Sequence, residues 1–216
     1  MLVSTRPGGV SFPFQLLPPL IHRYKVLGHA APRFDPEVSA TLKGDHGSHL
    51  VKSMNRSAIL ISAALRVMHA DLYFAGLETL LKLGAWAHDA GLHDIYDRIV
   101  HWASVFNVAS IMCNRRSPPH RDPKCRPEAF DIMTSIGAYL PAIMNLKNFG
   151  IKLTYDSCVM VGFSCRLVVH EMYVESGDRI VWAWFMRDSL HNFVATPRPD
   201  FARYDNVLDR ILTGCS

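Results

Sequence analysis

At 216 residues the chain is long enough for one domain with a sizeable buried centre. Its 23 Lys plus Arg against 19 Asp plus Glu give a net charge of +4, too mild to make the whole surface attractive to a polyanion, so any such surface must come from clustering. Cys113, Cys125, Cys158, Cys165 and Cys215 are odd in number and contain no C-x-x-C pair, which argues against a disulfide framework or a zinc ribbon. No apolar run is long enough to span a membrane and no signal-peptide pattern opens the chain, so nucleus or cytosol is expected, without secretion or a membrane partner.

Residues 1–52 carry Pro7, Pro13, Pro18, Pro19, Pro32 and Pro36 and read as an extended N-terminal arm. Gly44, Asp45, His46 and Gly47 form a turn cluster, and His46 and His49 lack the further ligands that zinc requires. From Ser53 to about residue 104 the pattern becomes helical. Ser57 is placed to cap a helix bearing Ile59, Ala63, Leu65 and Met68, a second apolar pattern runs from Leu72 to Leu83 with Gly76 as a break, and His88 to His101 reads as a short helix. Strand signals dominate residues 105–194, in Phe106 to Cys113, Phe130 to Leu140, Gly150 to Tyr155, Val159 to Phe163, Leu167 to Met172 and Arg179 to Phe185. Glu175 to Asp178 reads as the turn between the last two strands, and residues 195–216 as a C-terminal tail or helix. A helical preface followed by many short strands suggests an α+β domain with a jelly-roll core.

The chemistry concentrates between Asn114 and Asp131 (N-R-R-S-P-P-H-R-D-P-K-C-R-P-E-A-F-D), read as a loop after the first strand. His120 and Asp122 stand in H-x-D spacing there, and His170 closes a later apolar run. Two imidazoles and one carboxylate make the facial triad that holds non-haem Fe(II) and leaves other positions open. His69 and Asp71 repeat the spacing inside a helical pattern, where side chains two apart point about 200° away from each other and cannot share an ion. Arg179, on the strand after the last ligand, offers a planar fork suited to a carboxylate, with Arg187 as a spare beside Asp188. Arg115, Arg116, Arg121, Lys124 and Arg126 flank the triad and could meet phosphates, although a solvated basic loop explains them equally.

P-H-R-D at Pro119 to Asp122, the later His170, and R-I-V-W-A-W-F-M from Arg179 resemble the TET/JBP family of Fe(II)/2-oxoglutarate dioxygenases. N-R-R-S-P-P-H-R-D followed by F-D-I-M-T-S-I-G is similar to the compact fungal branch of that family. The resemblance runs from about Ser53 to Phe193. It implies a double-stranded β-helix core with N-terminal helices packed on it, Fe(II) on His120, Asp122 and His170, and 2-oxoglutarate paired with Arg179. It further implies Fe(IV)-oxo hydroxylation of a methyl group on a base flipped out of methylated DNA, with 5-methylcytosine ahead of N6-methyladenine or thymine. Asn114, Arg115, Arg116, Arg121 and Cys125 are then the candidates to touch substrate, with Arg198 and Arg203 as further phosphate contacts. Cys125, where related chains carry a better hydrogen-bonding side chain, and Glu171 after His170 depart from the pattern. Cys113 and Cys125 are expected near the iron and open to oxidation. Two other readings stand beside this one: a degenerate copy serving as a nucleic-acid-binding module, and a 2-oxoglutarate oxygenase of small molecules.

Overall fold

A computed structural model describes residues 21–25, 35–123, 125–205 and 208. Most of the expected arm and tail, Lys124 and Cys215 lie outside the described residues. The helical preface is α1 (Gly44–Ser53), α2 (Asn55–Met68), α3 (Ala70–Asp89) and α4 (His93–His101), and a last short helix, α5, covers Asp188–Phe193. The strands are β1 (Ile21–Lys25), β2 (Val108–Cys113), β3 (Ser117–His120), β4 (Asp131–Leu146), β5 (Ile151–Thr154), β6 (Met160–Phe163) and β7 (His170–Phe185).

Helix α2 buries Ala58, Ile61, Ser62 and Leu65, one stripe at helical spacing, and α3 buries Leu72, Ala75, Gly76, Thr79, Leu80 and Leu83. Each fully buried aliphatic side chain contributes about 1.5–3 kcal/mol, so this stripe is what fixes the helices to the sheet. Gly76 is not the break its type suggests. A Cβ there would sit 2.6 Å from Met186 Cε and 2.7 Å from Val105 O, so the glycine lets α3 lie against the end of the sheet. Gly47 works alike: where the local sequence reads as a turn, α1 forms and a Cβ would come 2.1 Å from Leu42 O. His69 lies between α2 and α3 rather than inside a helix, and its Nδ1 accepts the Leu72 N–H at 3.4 Å.

Antiparallel β4 and β7 form one ribbon of constant register, from Ile132 opposite Trp184 to Leu146 opposite His170. The ribbon serves two layers. Its half nearer Trp184 is extended by β2 and β1 beyond β7 and by β6 beyond β4; its half nearer His170 is extended by β3 and β5. Between the halves the face that is buried switches: Asp131, Met133 and Ser135 are buried on one side of the corner, Ala142, Met144 and Leu146 on the other. The switch falls where Gly137 (φ +146°) opposes Arg179 and Gly177 (φ +99°) opposes Tyr139, backbone shapes that L residues rarely adopt. A Cβ at Gly137 would meet Asp178 O at 2.1 Å. Glu175 to Asp178 is therefore a coiled corner inside one 16-residue strand and not a turn between two strands.

This is the jelly-roll arrangement. The half-sheet of β2, β7 and the start of β4 is covered on one face by the helices, through Ala109, Ile132 and Trp184, and looks into the barrel with the other. Burial of both faces explains why Ile180 to Phe185 is apolar throughout. No helix among the described residues is long and apolar enough to cross a membrane.

Candidate metal centre and its cavity

His120 is the last residue of β3 and His170 the first of β7, and the two face each other in the ladder. Their ring centroids are 4.3 Å apart. The segment before His120 is a short edge strand rather than a loop, and an edge tolerates Pro118 and Pro119 because their missing N–H groups leave no central ladder broken. Asp122 follows two residues beyond the strand, held by its N–H donating to Cys165 C=O at 2.9 Å. One ligand atom from each of His120, Asp122 and His170 lies within 4.8 Å of the others.

The imidazoles are set for a metal. His120 Nδ1 meets Pro118 O at 2.7 Å and His170 Nδ1 meets Val168 O at 3.0 Å. A carbonyl can only accept, so each Nδ1 carries the proton and each Nε2 keeps a free lone pair. Burial, then the neighbouring His120, lowers the His170 pKa and favours the neutral ring that a metal needs.

A cavity of about 310 Å³ opens on these three residues. Its walls include Met112, Met133, Met144, Met172, Val181 and Phe185. Arg179 lines it while only 4% exposed. Its backbone is pinned by Asn114, whose Oδ1 accepts the Arg179 N–H at 2.7 Å while its Nδ2 donates to Asp178 at 2.8 Å. Its guanidinium donates to Arg115 O at 2.8 Å and has no carboxylate partner among the described residues. Burial lowers its pKa, yet an arginine remains charged, so the site holds an uncompensated cation. Tyr155 Oη, buried and without a hydrogen-bond partner among the described residues, lies on the same cavity. A buried cation and an orphan hydroxyl fit the distal carboxylate of a dicarboxylic acid.

The other candidates divide. Arg115 and Cys125 line the cavity. Asn114 does not, because both its side-chain atoms are used in holding the corner. Arg116 and Arg121 are exposed outside the cavity wall. Arg126 pairs with Glu128, Arg198 with Asp188 and Arg203 with Asp200, so these three are less available to phosphates than expected. Arg187 does line the cavity, over the Phe185 ring. Cys113 is not a wall residue; Cys165 is.

Sequence reasoning passed over Asp131, Tyr155 and Cys165. Asp131 left a signal, an acid inside F-D-I-M at the head of an apolar strand. Burial raises its pKa to about 7, opposed by the thiols of Cys125 and Cys165 beside it. Burial likewise pushes both thiols up, with Asp131 adding to the effect.

No protein family and no curated protein matches this sequence. Among solved structures, NgTET1 in complex with 5mC DNA is similar, with a TM-score of 0.57 at 14% identity over 89% of this chain and 69% of that one. An oxidoreductase of the 2OG-Fe(II) oxygenase family from Burkholderia pseudomallei gives a TM-score of 0.40 at 12% identity, over 79% of this chain and 71% of that one. FeII HppE gives 0.27 at 8% identity, over 36% of this chain and 42% of that one. The chain thus has the fold of NgTET1.

Proposed function

We propose that this protein is an Fe(II)/2-oxoglutarate-dependent dioxygenase that oxidises the methyl group of a modified base in DNA, 5-methylcytosine ahead of N6-methyladenine or thymine. The observation that carries the reading is one cavity holding both the grouped His120, Asp122 and His170 side chains and a buried arginine with no acidic partner among the described residues. His120, Asp122 and His170 would hold the iron, and Arg179 with Tyr155 would receive the distal carboxylate of 2-oxoglutarate. When bound, that pair supplies the oxygen-activating chemistry, with succinate and carbon dioxide as by-products. The chain's own work is to fix the ligands' tautomers, to orient the oxo acid through Arg179, and to exclude water with its methionine and valine walls.

A base stacked in a duplex cannot enter such a cavity, so the substrate nucleotide must be flipped out. Arg115, Arg116 and Arg121 have no acidic partner among the described residues and surround the His120 segment, where they are free to grip phosphates. The likeness to NgTET1 with 5mC DNA supports DNA over a small molecule. A DNA substrate implies action in the nucleus.

The test is purified protein with Fe(II), 2-oxoglutarate and ascorbate, assayed for succinate and for modified nucleosides with and without methylated DNA. DNA-stimulated succinate with an oxidised base is expected. Turnover indifferent to DNA would point to a small-molecule oxygenase, and DNA binding without turnover to a binding module. His120→Ala should abolish turnover and leave DNA affinity within a few-fold.

A further inference from the structure

Beside the facial triad, and sharing Asp122 with it, the fold gathers a second set of donors, of which Asp131 and Cys165 take no part in the proposed chemistry. A carboxylate oxygen of Asp122, a carboxylate oxygen of Asp131 and Cys165 Sγ lie within 4.8 Å of one another. Asp131 is 3% exposed and Cys165 1%. Asp131 Oδ2 accepts from Cys125 Sγ at 3.3 Å and the Cys165 thiol also hydrogen-bonds the carboxyl, while Oδ1 is buried with no hydrogen-bond partner of good geometry among the described residues. Burying a carboxylate oxygen unmet is costly, so a ligand is wanted there.

Backbone bonds preset the group. The Asp122 N–H donates to Cys165 C=O at 2.9 Å, and Asp131 pairs in the ladder with Phe163, two residues before Cys165. The N–H groups of Leu167 and Val168 close the turn around Cys165 onto Ser164 O at 3.1 and 2.9 Å. These bonds hold all three donors on one wall of the cavity.

The chemistry of the donors chooses the ligand. An amino group from a substrate would satisfy Asp131 alone. Thiol hydrogen bonds to the Asp131 carboxyl engage the sulfurs but leave Oδ1 unmet. A divalent cation meets all three, and it relieves the mutual repulsion of groups that are negative when ionised. Sulfur among the donors disfavours magnesium and calcium and favours a borderline-soft ion bound by thiolate and carboxylate together.

We propose that Asp122, Asp131 and Cys165 form a second metal site, for zinc or an ion of its class, which shares Asp122 with the facial triad. The proposal rests on the triad reading for that sharing but not for its own ligands. On binding, the Cys165 S–H bond breaks, a metal–sulfur bond forms and the proton leaves to solvent, with no change of oxidation state.

Cobalt(II), spectroscopically visible where zinc is silent, is the probe for an anaerobic titration of the full chain. The parent should bind two ions and show a thiolate-to-cobalt charge-transfer band in the near ultraviolet. Cys165→Ser and Asp131→Asn should each bind one ion, and Cys165→Ser should lose the band, whereas Cys125→Ser keeps it. His170→Ala should keep one ion and the band. Thermal unfolding of the metal-free variants at the parent's temperature shows that a lost ion is not a lost fold. A parent that binds a single ion without the band overturns the proposal, as does a band that survives in Cys165→Ser. A parent that binds one ion with a band dependent on Cys165 keeps this site and removes the triad instead.

Discussion

Replacing Arg179 by methionine should move stability and co-substrate affinity in opposite directions. Arg179 is 4% exposed, and among the described residues its guanidinium has one acceptor, Arg115 O at 2.8 Å, and no carboxylate partner. Burying an ion costs several kcal/mol after relaxation. The hydrogen bond lost with the side chain contributes about 1.5–3 kcal/mol. Without co-substrate, Arg179→Met should therefore raise stability by about 1–3 kcal/mol, or about 2–12 °C at roughly 2–4 °C per kcal/mol for a domain of this size. Two charge-assisted bonds to the distal carboxylate are worth about 3–6 kcal/mol together. Their loss weakens 2-oxoglutarate at least about 100-fold. Thermal unfolding with Mn(II) in place of iron, with and without 2-oxoglutarate, reads the first effect, and titration calorimetry the second. A variant that melts below the parent while binding 2-oxoglutarate within a few-fold would show that Arg179 is a structural cation and not the co-substrate's partner.

Gly76→Ala sets helix propensity against packing. Propensity alone predicts a gain of about 1 kcal/mol, but the contact with Val105 O at 2.7 Å predicts a loss of about 1–3 kcal/mol; a denaturant midpoint above the parent's would refute the close approach of α3. His191, hydrogen-bonded to Thr79 at 2.9 Å, is held at a pKa of about 3 by burial and then by Arg198 and Arg126, against 6.5 when unfolded. Between those values the unfolded chain takes the proton and the folded chain does not, so stability should fall as pH drops, by up to about 1.4 kcal/mol per pH unit. His191→Gln should flatten that acid limb, and parallel stability curves would contradict the assignment. Replacing Arg115, Arg116 or Arg121 by alanine should each lower the salt dependence of DNA binding by about one ion. Arg126→Ala, which removes a partner of Glu128 and Asp188, should leave it unchanged.

Much of the architecture was legible because it follows from local pattern. The stripe on α2 and the two-sided apolar run from Ile180 to Phe185 each announce which faces are buried. H-x-D with a later histidine marks the proposed triad, since two candidate ligands two residues apart need little from the rest of the chain to converge. Arg179 followed from the same pattern, although its lack of an acidic partner among the described residues did not. Where local reading misled, a distant contact was responsible. Glu175 to Asp178 has turn composition, yet the strand continues because Gly137 across the ladder bends with it.

The amino-acid sequence by itself determined that a helical segment precedes a strand-rich one and singled out His120, Asp122 and His170 as candidate metal ligands, because both depend on spacing along the chain. Tertiary structure alone decided that Tyr155 joins Arg179 and that Asp131 and Cys165 join Asp122. These residues lie on separate strands and turns, and their meeting depends on how two half-sheets close over one cavity. That closure is set at the ribbon's corner, where two glycines permit a bend that spacing does not encode.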